Sequence, residues 1–282
     1  MKRRVVPYLL LLPGTAWLLL FFVVPLYYMA ELSLNSGVVG ELEFTWNWDN
    51  YSEAFSLYDT QFIRSFVYAG VATLAALLLA YPLAYTIAFK AGKWRNALLF
   101  AVVAPFFTTY LIRTLAWETI LFDESPVTEI LDALGMAPEG HVLATSGAVI
   151  AGLTYNFLPF MILPIYASLE RIDVRLIEAS KDLYASAAQS FARVTLPLSA
   201  PGVVAGTLLT FIPAVGDYVN AQFLGGVGNR MIGNVIQSLY LTQSNYPAAA
   251  ALSFLLMALI MVAVFVYIRF AGSEALMGEE AV

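Results

Sequence analysis

The sequence predicts an all-α membrane protein with six transmembrane helices. Hydrophobic residues fill 60% of the 282 positions and charged residues only 12%; the mean hydropathy of +0.76 lies far outside the soluble range. Runs matching the roughly twenty apolar residues that span a hydrocarbon core as a helix recur at 8–29, 65–89, 97–121, 142–168, 198–224 and 247–268. The ten-residue alternation of a transmembrane β-barrel is absent from the sequence.

The first window follows "MKRR" and resembles a secretory leader in its flank, but it runs from Tyr8 to Met29 with no small-x-small cleavage site behind it. An uncleaved first span is expected. The remaining windows are joined by short segments, so the chain reads as one membrane domain over 1–282, without a soluble domain or a low-complexity linker.

Orientation follows from Lys and Arg. Residues 2–4, the group Lys90, Lys93 and Arg95, the stretch Arg171 to Arg193, and Arg269 hold eleven of the fourteen basic residues, all on one side of a six-span chain. The opposite loops, 30–61 and 122–141, contain no Lys or Arg and eleven Asp and Glu. Both termini are therefore expected on the cytoplasmic side of the cell (inner or plasma) membrane. The net charge of −6 reflects an acidic outer face, and no basic stripe suited to nucleic acid occurs.

Several chemistries lack their parts. Zero cysteines exclude disulfides, thiol nucleophiles and thiolate metal sites. One histidine, His141, is too few for a His-based triad or zinc site, and an intramembrane enzyme would need a nucleophile–base pair that the spans do not offer. "AGKWRN" at 91–96 lacks the first P-loop glycine and has Trp94 where Ser or Thr should follow the lysine. No metal or cofactor site is expected in this chain.

The stretch "RLIEASKDLYASAAQSFARVTLPL" (175–198) is polar between two apolar windows, on the basic side. Leu176, Ala179, Ser180 and Leu183 share a helical face, with Glu178, Lys181 and Asp182 off it, which predicts a short amphipathic helix. Pro197 and Pro201 mark re-entry to the membrane. By physics alone the segment is either a solvated connector or a docking surface.

The segment resembles the motif of ABC-importer permeases: E-A-A, three residues, G, nine residues, I-x-L-P. Glu178-Ala179-Ser180 fills the triplet, Tyr184 falls on the glycine position, and Val194-Thr195-Leu196-Pro197 closes it. The resemblance implies that loop 170–197 docks on a cytosolic ATPase through Glu178, Ala179, Ser180, Asp182, Leu183 and Tyr184, with ATP and Mg bound by that partner. If the motif's turn is left-handed, a tyrosine in it costs about 1–2 kcal/mol.

"YPLAY" (81–85), "PFFTTYLIRTLAW" (105–117), "LPFMILPIYASLERID" (158–173) and "FIPAVGDYVNAQFLGG…MIGNVIQS" (211–238) extend the likeness to nearly the whole chain. They resemble spermidine/putrescine-type permeases, of type I importer fold. The resemblance implies a second permease, two ATPase subunits, an extracytoplasmic solute-binding protein and surrounding lipid as partners. It implies a small cationic solute such as a polyamine. The same machine carrying another solute is the alternative, and a self-sufficient secondary transporter the rival from another class. Against the rival stands the absence of an evident internal repeat.

Ionisable residues at membrane depth cost about 2.5–3.5 kcal/mol or more, so they face an interior, a cavity or a partner. Arg113 and Glu118 are five apart and form no i,i+4 pair. Arg113 is expected to tie to helix carbonyls or a carboxylate, and Glu118 to be solvated near the outer interface. Asp217 follows Pro213 and Gly216, which weaken the fifth helix. Broken helices at this depth line cavities or are buried in protein. Two roles are open to Asp217: a carboxylate on the solute path, with Tyr218, Asn220, Trp117 and Tyr155 as its lining, or a helix cap or ion-pair partner of Arg230.

Overall fold

The computed structural model describes residues 2–37, 40–135 and 140–271. Glu139, one of the acidic outer residues, lies outside them. Five helices are long and apolar enough to cross a membrane, and a sixth span arises if one sharply bent pair counts as a single crossing. The chain packs as two units, Met1–Asp59 with Val235–Ala258 and Thr60–Asn234 with Leu259–Val282.

In the first unit, α1 (Lys2–Leu18) runs through a π-helical turn, Leu19–Val23, into α2 (Val24–Ser33). None of the residues in the apolar part of this rod from Leu10 is buried within the chain until Ser33. Two short strands, β1 (Asn35–Ser36) and β2 (Glu43–Phe44), pair antiparallel. The Ser33 and Tyr51 hydroxyls lie 2.6 Å apart, and Asn50 Nδ2 donates to the carbonyls of Ser33 and Asn35.

Helix α3 (Asp49–Phe89) is much longer than its apolar window and has non-helical dihedrals at Tyr58. In the second unit its alanines Ala72, Ala76, Ala80 and Ala84 form a four-residue stripe, each at most 1% exposed. Apolar residues have no water to escape inside a bilayer, so helices there associate by close packing of small side chains. Ala76, Ala80 and Ala84 share a buried cluster with Met161, Ile165 and Leu169 of α7 (Ser146–Glu170).

The same logic sets the seam between α7 and α10 (Leu196–Val215). A Cβ on Gly202 would lie 2.5 Å from the Pro164 carbonyl oxygen and 2.6 Å from Ser168 Oγ. Glycine is required there by approach, not by dihedral. Pro159, Pro164, Pro201 and Pro213 lie inside these helices, as neighbouring helices permit in membranes.

The third apolar window is not one straight helix. After α4 (Arg95–Val103), a 3₁₀ turn over Ala104–Phe107 leads to Thr108 and Thr109, both extended. Then α5 (Tyr110–Ile120) departs at 94°. The fifth window is also interrupted: α10 stops at Gly216, and α11 (Val219–Leu224) follows. Between these lie α6 (Pro126–Ala133), capped by Ser125, and the polar-side helices α8 (Val174–Asp182) and α9 (Ala187–Ser190). The described residues close with α12 (Ile232–Leu241) and α13 (Tyr246–Ala271).

Candidate functional site: a coupling segment and a buried polar cluster

The segment that resembles a docking loop is built as two helices around a tight turn. Asp173 caps α8 by accepting from the Arg175 N–H at 2.9 Å. The helix ends in a reciprocal pair of bonds: Tyr184 N–H donates to the Lys181 carbonyl and Ala185 N–H to that of Ser180. This is the Schellman pattern, whose pivot residue sits in the left-handed region and is usually glycine. Here the pivot is Tyr184, at φ +61°. The tyrosine thus carries the left-handed cost of about 1–2 kcal/mol.

The next helix starts at once. Ser186 and Gln189 form a capping box, each side chain accepting from the other's backbone N–H. Ser180 Oγ donates to Ser190 Oγ at 2.7 Å, tying α8 to α9 across the turn. α9 then continues through a π-turn, Phe191–Thr195, into α10 as one helix from Ala187 to Val215. At 1.5 Å per residue that rod is about 42 Å long.

Burial shows which face of α8 is free. Ile172 is buried, and Ile177 packs on the same cluster, so this side holds the helix to the spans. Leu176, Leu183 and Tyr184 are 50%, 81% and 97% exposed, and Glu178, Ala179 and Asp182 are exposed beside them. The apolar positions read from the sequence therefore do not all face inward. Leu176, Ala179 and Leu183 form an outward stripe, while Ser180 faces α9.

The other group of predicted residues meets where α5 and α11 approach α7. Asp217 is 8% exposed, and both its oxygens are engaged. Oδ2 accepts from the Tyr110 hydroxyl, and Oδ1 accepts from the Asn220 N–H at 2.8 Å. Asp217 therefore caps α11. Asn220 Nδ2 donates to the Tyr110 oxygen at 2.5 Å, and its Oδ1 accepts from Asn156 Nδ2 at 3.1 Å. Asn156 Nδ2 also reaches Thr114 Oγ1 at 3.3 Å. Among the described residues Asp217 makes no ion pair with Arg230, whose carbonyl instead accepts from Arg64.

Arg113 is buried in the same neighbourhood without a carbonyl or carboxylate partner among the described residues. Its guanidinium lies 5.3 Å from the Phe106 ring centre and 5.7 Å from that of Tyr110. Among the described residues its Nε and Nη1, and Asn156 Oδ1, are buried without hydrogen-bond partners. Such contacts offset part of a cation's desolvation but do not replace its hydrogen bonds.

The remaining candidates lie at the margin of this cluster. Tyr218 is 44% exposed, and its carbonyl accepts from Asn234 Nδ2. Trp117 and Tyr155 pack edge to face, 5.4 Å between ring centres. Glu118 borders an open concavity with Phe122 and Glu124. An apolar cavity of about 330 Å³, lined by Leu74, Val203 and Phe211 among others, contains none of the candidates.

Sequence reasoning missed Tyr110, Thr114 and Asn156. Asn156 carried a signal, since an amide in the middle of an apolar window needs a buried partner. It also missed the tie of Arg95 to Glu170 and to the Tyr166 hydroxyl, 2.5 Å from Arg95 Nε. Among the described residues no group of three His, Asp or Glu side chains is placed to hold a metal ion.

Sequence relatives, solved structures and a family profile all resemble this chain. The permease protein PotB of the spermidine/putrescine transport system of Haemophilus influenzae is 38% identical over 257 residues, covering 90% of each chain. The Escherichia coli PotB is 37% identical over 256 residues, 90% of this chain and 93% of that one. Among solved structures, a bacterial ABC transporter that imports the acidic polysaccharide alginate has a chain superposing with TM-score 0.68 at 19% identity, covering 96% of both. A chain of the MetNI methionine ABC transporter superposes at 0.61 and 20% identity, covering 78% of this chain and 96% of that one. The protein thus has the fold of ABC-importer permeases. With residues 5–272 matching the family profile, the chain belongs to the binding-protein-dependent transport system inner membrane components.

Proposed function

We propose that this permease subunit forms half of the membrane path of an ATP-driven importer for a small cationic solute of the polyamine class. The observation that carries the solute class is the likeness to PotB, 37–38% identical along 90% of this chain. A second permease would complete the path, two ATPase subunits would bind ATP and Mg, and an extracytoplasmic protein would deliver the solute. Both termini would be cytoplasmic, the orientation that the Lys and Arg distribution favours.

The geometry gives this reading a mechanical basis. The free face of α8 presents Glu178, Ala179, Asp182, Leu183 and Tyr184 to the ATPase, with Ser180 holding α9 alongside. Because α9 is continuous with α10, a displacement at the docking face is carried along the rod to Val215, two residues from Asp217. Closure of the ATPase pair would then move the break that holds Asp217, Tyr218 and Asn220. In this reading Tyr218 offers its half-exposed ring to the solute. Trp117 and Tyr155 supply further aromatic lining, and Asp217 contributes negative charge from behind.

Arg113 favours a second reading, the same importer carrying a solute that is not strongly cationic. Its guanidinium, without a carboxylate partner among the described residues, lies over Tyr110, the residue that donates to Asp217, and so offsets the carboxylate's field. Competition among labelled spermidine, putrescine, neutral and anionic solutes for ATP-dependent uptake tests the two. The polyamine reading requires the cations to compete best.

A further inference from the structure

We infer that Tyr184 is an aromatic anchor, a side chain whose role is to fill a pocket on the ATPase subunit. The inference rests on the docking reading above and adds to it a residue and a chemistry. Three observations meet at this position. The backbone holds a left-handed conformation at φ +61°, which a tyrosine adopts only under strain. Two hydrogen bonds on either side of the pivot, from Tyr184 and Ala185, leave the turn little freedom to relax. The ring is 97% exposed, so it gains nothing from the rest of the chain in return.

A glycine would make the same turn without strain. The strained residue is also among the largest that could stand there, and it projects from the apex of a rigid turn beside Leu183, itself 81% exposed. Outside the membrane, a tyrosine and a leucine side by side at the tip of a stiff hairpin form a small apolar knob. The stripe of Leu176 and Ala179 continues that knob along α8. Large aromatic side chains held rigid at the centre of a contact are the usual carriers of binding energy. The matching surface is an apolar pocket with a hydrogen-bond acceptor for the phenol, rimmed by groups complementary to Lys181 and Asp182.

The test uses the assembled permease pair in nanodiscs, stripped of its ATPase, with the ATPase subunit that purifies with the functional importer added back. Affinity is measured for Tyr184→Phe, Tyr184→Ala and Tyr184→Gly, and melting of the ATPase-free pair is followed in parallel. The expected result is opposite in the two readouts. Tyr184→Gly should melt at the same or a higher temperature than the parent, yet bind the ATPase at least about tenfold more weakly. Tyr184→Ala should bind as weakly, and Tyr184→Phe within about threefold of the parent, since it keeps the ring.

Unchanged or tighter binding by Tyr184→Gly would overturn the anchor, as would a lower melting temperature for that variant. Glu178→Lys and Ala179→Trp separate the two levels of the argument. If they abolish binding while Tyr184→Gly does not, only the anchor fails. If they too bind normally, the docking reading itself fails.

Discussion

The hydroxyl of Tyr110 donates to the carboxylate of Asp217, joining the start of α5, just past the bend, to the break after α10. Each break exposes backbone groups that a bilayer cannot satisfy; here one carboxylate caps α11 and receives the phenol from α5. Tyr110→Phe removes the donor and leaves a buried carboxylate oxygen short of a partner, at a cost of about 1–3 kcal/mol. The variant should show a lower melting temperature and a reduced yield of assembled complex. Parent-like melting would mean that the two breaks are held independently.

Asp217→Asn separates charge from capping. Asparagine retains an acceptor for the Asn220 N–H but not for the Tyr110 hydroxyl, so complex yield should fall no further than in Tyr110→Phe, while uptake per assembled complex at limiting solute falls several-fold more through loss of the negative charge. Arg230→Gln, which removes no bond to Asp217, should leave yield and uptake nearly unchanged. Normal uptake by Asp217→Asn would remove the residue from the solute path.

At the α7–α10 seam, Gly202→Ala places a methyl against the Pro164 carbonyl. A backbone atom cannot swing aside as a side chain can. The expected cost is about 1–3 kcal/mol, read as reduced melting temperature and detergent stability. A neutral effect would show that the seam yields more readily than its close packing implies.

The absence of cysteine allows single thiols to report topology without background. A cysteine replacing the exposed Asp132 in α6 should react with a membrane-impermeant reagent on intact cells. One replacing Ser186 should react only after the inner face is opened. The reverse pattern would overturn the proposed orientation.

What the sequence revealed, and what it hid, has a physical pattern. The apolar helices were legible because burial in lipid demands apolar residues whether a helix is straight or broken. For the same reason the 94° bend between Phe107 and Tyr110 was not: Phe-Phe-Thr-Thr looks as apolar bent as it would straight, and Pro105 alone does not mark the site. The break after α10 was more legible, since Pro213 and Gly216 both weaken the helix just before a charged residue. Asp217 was found because it is charged, while Tyr110 and Thr114, which hold it or its neighbours, resemble ordinary residues of a span. Arg113 was also found by its charge, but its aromatic surroundings depend on a bend that the sequence did not disclose. The turn at Tyr184 lay between these cases: spacing located it, and only the backbone dihedral showed that it remains left-handed without glycine.

As a permease subunit, this chain should move solute only within an ATP-driven importer. The most direct measurement is uptake of labelled spermidine and putrescine into liposomes holding the purified complex, with binding protein outside and ATP inside. Uptake should require the ATPase subunits, ATP hydrolysis and the binding protein together, and should be lost with Ala179→Trp. Uptake by the permeases that persists undiminished without the ATPase subunits would contradict the account and identify a self-sufficient secondary transporter.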